Sequence, residues 1–224
     1  MGRNLNFSEN EYYHLYDRAV EKRKIFLDSG DHKRFTTLLY TANSSIPIHL
    51  SNYQGVSLLE IPRGGKTIVD IGAWCIMPNH FHLLVKEKQG NGLSLFMRKL
   101  LTGYSMYFNA KYKRKGTLFN RPFRAKHLNT DEYLKYQYAY IHLNPIGIVD
   151  VGWKEKKLKD KSAAKKFLYS YKYSSFQDYS GQRRDEGLII EPSSFPDYFG
   201  SFSDFGDMLE EWIDFENINI KESP

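Results

Sequence analysis

The sequence predicts an α+β fold in which an antiparallel sheet has its helices packed on one face. Two observations support this class. Short segments with alternating or continuous apolar residues, typical of strands, are interspersed with longer segments whose apolar residues recur every three or four positions, typical of helices. Two of the strand-like segments are also separated by only a tight turn, at Met77–Asn79, which predicts an antiparallel hairpin.

The predicted elements follow one another in the order β-α-β-β-α-β-α. In chain order they are a strand at 12–17, a helix at 31–42, strands at 67–76 and 80–85, a basic helix from about 93 to 108, a strand at 123–128 and a helix from about 130 to 144. Asn129 and Thr130 supply N-cap chemistry for this last helix, and Pro145 ends it near Asn144. An antiparallel sheet with elements in this order suits the ferredoxin-like architecture.

Length and composition restrict the class of protein. The chain has 224 residues, a formal net charge of +6, a pI of about 9.1 and one cysteine. We assign residues 1–180 to a single domain and 181–224 to an acidic, aromatic C-terminal extension that packs on it. No segment reaches the roughly 18 apolar residues of a membrane span, and the N-terminus lacks the apolar region of a signal peptide. We therefore expect a cytoplasmic protein without an internal disulfide and without a membrane partner.

The stretch MPNHFHLLV, residues 77–85, is the most informative in the chain. Side chains alternate along a strand, so His80 and His82 should point to one face and Phe81 to the other. Two neighbouring imidazoles on a rigid strand form half of a site for a divalent metal. Taken alone, the pair fits equally well as two hydrogen-bonded polar residues at the border of a sheet.

The last predicted helix carries the second part of the candidate site. Tyr140 and Asn144 are four residues apart, which places them one turn apart on one helix face. An amide oxygen from Asn144 can complete a His-His-Asn metal site, and Tyr140 beside it can act as a nucleophile. Relative to Asn144, Tyr140 is rotated by about 40° and Tyr138 by about 120°, while Tyr133 lies about 16 Å away along the axis. Taken alone, this segment would be interpreted as an ordinary tyrosine-rich amphipathic helix with an asparagine near its C-terminal cap.

Basic residues are concentrated before this helix. Between Gln89 and Thr130 there is no aspartate or glutamate, which is typical of a surface that follows a phosphate backbone. A solvated helix end is the alternative interpretation of such a charge run. The candidate DNA-binding residues are Arg98, Lys99, Lys111, Lys113, Arg114, Lys115, Arg121, Arg124 and Lys126.

Several motifs in this order resemble the single-tyrosine HUH transposases of the IS200-like superfamily, and within it the branch of REP-associated tyrosine transposases. The motifs are MPNHFHLLV, then GTLFNRPFRAKHL, then YAYIHLNPI, with FSENEYYHLYDRAVEKRKIFLD before them and YKYSSFQDY after them. The similarity covers residues 12–179. By position, the resemblance implies that His80, His82 and Asn144 are metal ligands and that Tyr140 is the nucleophile, with Phe81 at the hydrophobic position between the histidines.

The resemblance implies a DNA transposase that cleaves and rejoins single-stranded, hairpin-bearing DNA through a 5′-phosphotyrosine intermediate. The expected cofactor is a divalent metal, Mg²⁺ or Mn²⁺, and the expected state is a monomer or a homodimer. Two other functions remain open from the residues. One is a non-catalytic nucleic-acid-binding protein, since ferredoxin-like sheets with basic and aromatic surfaces bind RNA. The other is a metal-dependent phosphodiesterase in which water attacks the phosphate.

Overall fold

A computed structural model of the chain describes residues 6–53, 55–153, 158–198 and 205–207. Up to Leu143 its helices and strands follow the predicted order, apart from short 3₁₀ turns. The strands are β1 (Tyr12–Arg18), β2 (Val69–Met77), β3 (His80–Glu87) and β4 (Arg124–His127). The helices are α1 (Ser29–Ala42), α2 (Gly92–Lys111), α3 (Asp131–Leu143), α4 (Ile146–Val149), α5 (Lys161–Ser170) and α6 (Phe176–Tyr179). In this described part no helix has the length and apolar character needed to cross a membrane.

The four strands form one sheet in the order β2-β3-β1-β4, and every neighbouring pair is antiparallel. A tight turn joins β2 to β3, with Met77 directly opposite His80. The predicted α+β class and its hairpin are therefore confirmed. Because β1 and β3 lie inside the sheet, their backbones are hydrogen-bonded to a neighbouring strand on each side, which fixes the positions from which their side chains project.

Helices cover both faces of the sheet, which corrects the expectation that they pack on one. On one face α1 and α2 pack as predicted, over core residues such as Leu15 and Phe81. On the opposite face α3 packs Tyr138 and Ile141 against a separate cluster that includes Leu84. The reason lies in the burial of β2. All nine residues of β2 are buried, so both of its faces need an apolar cover.

Helix α3 begins and ends where its sequence signals predict. The Thr130 hydroxyl accepts a hydrogen bond from the backbone N–H of Tyr133 (3.2 Å), which caps the first turn. The helix ends at Leu143, Asn144 is its C-cap, and Pro145 directly follows. This fixed end places Tyr140 and Asn144 in the last turn, over the sheet.

The chain after α3 returns to the sheet. The segment Tyr173–Ser175 runs beside β2: the N–H of Ile76 donates to the Tyr173 carbonyl, and the N–H of Ser175 donates to the Trp74 carbonyl, each at 2.9 Å. Further on, Phe195 is buried in the α3-side cluster. Of the C-terminal extension assigned to residues 181–224, the stretches 199–204 and 208–224 lie outside the described residues.

Candidate active site

His80 and His82 point to the face of the sheet that α3 covers, and Phe81 points to the opposite core. The directly paired residues Tyr16 and His82 share that face, and Phe81 instead contacts the ring of Phe35 at a centroid distance of 5.0 Å. The ring centroids of His80 and His82 are 5.0 Å apart. The structure thus places the predicted histidine pair side by side on an inner strand.

Each of these histidines uses its Nδ1 atom for a hydrogen bond within the protein. Nδ1 of His80 lies 2.6 Å from Oδ1 of Asn79, whose Nδ2 donates to the Lys22 carbonyl at 3.0 Å. That second bond fixes the orientation of the amide, so Oδ1 accepts and His80 Nδ1 carries the proton. A neutral imidazole protonated on Nδ1 keeps its lone pair on Nε2, which is the nitrogen that would bind a cation.

His82 has a different partner, His14 on β1, which the sequence analysis missed. Nε2 of His14 lies 2.8 Å from Nδ1 of His82, and both rings are buried. The sequence shows that His14 precedes Tyr16 by two residues on the first predicted strand, so the two side chains should share a face. What the sequence does not show is that β1 pairs with β3, which brings this face beside the histidine pair.

Tyr140 lies directly against this histidine cluster. Its ring centroid is 5.4 Å from that of His82, with the ring planes perpendicular, and 5.8 Å from that of His14. Asn144 is buried one turn further along, and its Nδ2 donates to the Tyr140 carbonyl at 3.3 Å. Since the amide nitrogen makes that bond, Oδ1 is the amide atom suited to a cation. The predicted histidines, amide and tyrosine therefore occupy one region of the sheet face.

The other tyrosines of α3 are placed differently. Tyr133, Tyr136 and Tyr140 form a row of nearly parallel rings with centroid separations of 6.1 and 6.2 Å. Burial raises the pKa of Tyr136, and the neighbouring Tyr140 adds to this effect. Tyr138 is almost fully buried beside Tyr179, and burial raises its pKa well above the ordinary value. A phenolate is therefore disfavoured at Tyr136 and Tyr138.

The donor set fits a divalent cation in its chemistry. Among the residues that the structure describes, no group of three or more His, Cys, Asp or Glu side chains is arranged to hold a metal. The predicted set is of another kind, two imidazoles from β3 and one amide oxygen from the end of α3. Imidazole nitrogen and amide oxygen are both common ligands of divalent metals, and a three-ligand set leaves coordination positions for a phosphate oxygen.

Two of the predicted DNA-binding residues, Arg124 and Lys126, lie beside this region. Both belong to β4 and pair directly with Tyr16 and His14, respectively, so they share the face of the histidine cluster. The Arg124 guanidinium lies 5.9 Å from the centre of the Tyr16 ring, and the Lys126 ammonium lies 4.4 Å from that of Tyr133. A border of alternating cations and aromatic rings thus adjoins Tyr140.

The remaining predicted DNA-binding residues belong to α2 and the loop after it. The Lys111 ammonium is held between the carboxylates of Asp28 and Asp31, each at 2.7 Å. The side chain of Lys99 donates to the carbonyl of Ser44, and burial lowers its pKa. Arg114 donates to Asn109 and to the Thr117 carbonyl, and four others are exposed: Arg98, Lys113, Lys115 and Arg121. Contact of these residues with DNA stays a prediction.

Comparisons with known proteins identify a family and a solved structure to which this chain is similar. Residues 64–144, a little over a third of the chain, match the family model described as "Transposase IS200 like". This segment contains His80, His82 and Tyr140 and ends at Asn144. The resemblance drawn from the sequence motifs is thereby confirmed. No curated protein is similar enough in sequence to count as a match.

Among solved structures, the chain is similar to a REP-associated tyrosine transposase bound to a REP hairpin. The sequences are 13% identical, the alignment covers 88% of this chain and 92% of that one, and the TM-score is 0.52. At this level of identity, the likeness establishes the shared fold and no more. This alignment covers 88% of the chain, against the little over a third that the family model matches.

Proposed function

From the match of residues 64–144 to IS200-like transposases, we propose that this protein cleaves and rejoins single-stranded DNA with Tyr140 as the nucleophile. The observation that carries the proposal is the contact between the Tyr140 ring and His82, with Asn144 on the same helix turn. This contact and the shared helix turn support a site in which a tyrosine, two imidazoles and an amide oxygen act together on one face of the sheet. Neither a purely binding surface nor a water-dependent nuclease requires a tyrosine at that position.

The proposed reaction exchanges one phosphate ester for another. The Tyr140 hydroxyl oxygen attacks the phosphorus of the scissile phosphodiester and loses its proton. The bond to the 3′-oxygen breaks, and that oxygen takes up a proton, which leaves a 5′-phosphotyrosine and a 3′-hydroxyl. Attack by a 3′-hydroxyl on the phosphotyrosine reverses these steps and rejoins DNA. Because the ester bond is conserved, no nucleotide energy source is needed.

His80, His82 and Asn144 are the residues proposed to hold a divalent ion, Mg²⁺ or Mn²⁺. When bound, such an ion supplies Lewis-acid polarisation of the phosphate and favours phenolate character in a tyrosine. The protein contributes the orientation of the ligands. The hydrogen bond from Nδ1 of His80 to Asn79 leaves Nε2 of His80 as its coordinating atom, and the hydrogen bond from the Asn144 amide nitrogen to the Tyr140 carbonyl leaves Oδ1. Nδ1 of His82 is engaged by His14, so His82 would bind a cation through Nε2.

The proposed substrate is single-stranded DNA that carries a hairpin. The REP-associated transposase of similar fold was solved with a hairpin, and we extend this substrate class to the present chain. Arg124 and Lys126 are placed to contact phosphates next to Tyr140. The rings of Tyr16 and Tyr133 beside them are suited to stacking on unpaired bases, the combination found in proteins that bind single strands.

The direct test is to trap the covalent intermediate. The protein is incubated with Mn²⁺ and labelled, hairpin-bearing single strands, and a protein-linked label is sought on a denaturing gel. Tyr140→Phe should eliminate the adduct, whereas Tyr136→Phe, a change on the same helix, should keep most of it. Mapping the phosphotyrosine peptide to another tyrosine would overturn the assignment. Cleavage without any protein-linked product would instead support the water-dependent phosphodiesterase, and hairpin binding without cleavage the non-catalytic protein.

A companion test concerns the histidine pair. His80→Ala or His82→Ala should abolish cleavage and adduct formation, because each removes an imidazole ligand. Hairpin binding, measured by electrophoretic mobility shift, should remain close to that of the wild type, since it depends on the basic and aromatic residues. Full cleavage by the double alanine variant would exclude a metal site at these residues.

A further inference from the structure

His14 makes a hydrogen bond that bears directly on the chemistry of His82. It belongs to β1, not to the hairpin that carries the histidine pair, and it lies outside the segment matched by the family model. Its Nε2 atom lies 2.8 Å from Nδ1 of His82, and the planes of the two rings are within 20° of each other. Both side chains are about 95% buried, with exposed fractions of 4% and 5%, so water competes little for this bond.

A hydrogen bond between two imidazole nitrogens needs one N–H and one lone pair, so it has two forms. In the first, His82 donates from Nδ1, and its Nε2 carries the lone pair. In the second, His14 donates from Nε2, and a neutral His82 then has its proton on Nε2. Only the first form leaves His82 able to bind a cation through Nε2.

The partner of His80 allows no such choice. It is the amide oxygen of Asn79, which can only accept, and the bond from Asn79 Nδ2 to the Lys22 carbonyl prevents the amide from rotating. One metal-ligand candidate is therefore held in its coordinating tautomer by an obligatory acceptor. The other is held by an imidazole that has to take the acceptor role.

We propose that His14 is a positioning residue that accepts a hydrogen bond from the Nδ1–H group of His82. This bond keeps the proton of His82 on Nδ1 and its lone pair on Nε2, directed to a divalent cation. This rests on the metal site of the proposed function and extends it to a residue on another strand. Partners of metal-binding histidines that act in this way typically change metal affinity by about 10- to 100-fold when removed. His14 itself does not touch the cation.

The experiment measures Mn²⁺ binding to the full chain by isothermal titration calorimetry in the absence of DNA. His14→Phe keeps a planar ring but has no acceptor, and we expect it to weaken Mn²⁺ binding by about 10- to 100-fold. His14→Gln offers an amide oxygen as acceptor and should stay within a few-fold of the wild type. His127→Phe is the control, because His127 lies on β4 opposite Tyr13, on the other face of the sheet.

A second measurement reads the tautomer itself. In the ¹⁵N-histidine-labelled, metal-free protein, long-range ¹H–¹⁵N spectra distinguish protonated Nδ1 from protonated Nε2. We expect His82 to carry its proton on Nδ1 in the wild type and in His14→Gln, and on Nε2 in a substantial fraction of His14→Phe. The resonance is assigned from its loss in His82→Ala.

The outcomes separate this role from the function itself. Wild-type Mn²⁺ affinity in His14→Phe, or equal losses in the Phe and Gln variants, would refute the proposal even if the DNA adduct forms. Graded Mn²⁺ affinity with the expected tautomers would support it even if no adduct is found. Retained hairpin binding by His14→Phe verifies that the variant is folded. Failure of the wild type to bind Mn²⁺ would refute both the metal site and the role of His14.

Discussion

Asp17 is a buried carboxylate whose replacement should stabilise the protein at neutral pH. It lies on β1 opposite Phe81 and is only 2% exposed. Its Oδ1 accepts from the N–H of Arg18 at 2.8 Å, but its buried Oδ2 finds no hydrogen-bond donor among the described residues. Burial raises the pKa of Asp17 from 3.8 to about 7, against smaller lowering effects of the Arg18 N–H and the Arg124 charge.

The sign of the effect follows from proton binding. Because the folded-state pKa lies above the unfolded one, the native state binds the extra proton, and the resulting stability is present below pH 3.8 and lost as pH rises towards 7. The shift of 7 − 3.8 = 3.2 units corresponds to at most about 4 kcal/mol at 1.36 kcal/mol per unit. Asp17→Asn cannot ionise and escapes this loss.

We therefore expect Asp17→Asn to gain stability over the wild type as pH rises from 4 to 8, by up to about 4 kcal/mol. Urea unfolding followed by circular dichroism at several pH values measures the free energy of unfolding of the variant minus that of the wild type. The contributions of other titrating groups cancel in this difference because both proteins share them. Asp28→Asn is a control of opposite sign, since the hydrogen bond from Lys111 lowers the pKa of Asp28 and its contribution is lost as pH falls. A difference for Asp17→Asn that does not change with pH would refute the reasoning.

Two further predictions concern basic residues. The double variant Arg124→Gln, Lys126→Gln should bind single-stranded DNA more weakly than the wild type. The slope of log affinity against log salt concentration should fall by about 1.4, because each lost phosphate contact accounts for about 0.7. An unchanged slope in filter-binding assays would show that these side chains contact no phosphate. Lys111→Met should lower the free energy of unfolding by about 1 to 3 kcal/mol, because the buried Asp31 carboxylate loses a charged hydrogen-bond donor. Wild-type stability on urea unfolding would contradict this structural role of Lys111.

Local patterns were sufficient to predict much of this molecule. The element order and the shared face of His80 and His82 follow from the periods of strand and helix, which involve only neighbouring residues. The end of α3 follows from Thr130 and Pro145 for the same reason. Tyr140 and Asn144 share a turn because their spacing is close to one helical repeat.

The features that were missed all depend on contacts between distant segments. His14 meets His82 across 68 residues, through strand pairing that no local pattern encodes. The segment containing Lys111 has no acidic residue, yet its partners are Asp28, the N-cap of α1, and Asp31 in the first turn of that helix. The amphipathic pattern of α3 indicates that one side is buried but not which face of the sheet it covers.

The segment Tyr173–Ser175, which runs beside β2, should protect the protein from aggregation. β2 forms a border of the sheet, and an uncovered border strand is a template on which a second chain can pair and aggregate. Backbone bonds from this segment to Trp74 and Ile76 occupy that template. A protein truncated after α5 would keep every residue proposed for the site and yet expose this border. We therefore expect that a soluble, well-behaved fragment has to extend beyond Ser175, and that residues 64–144 alone precipitate.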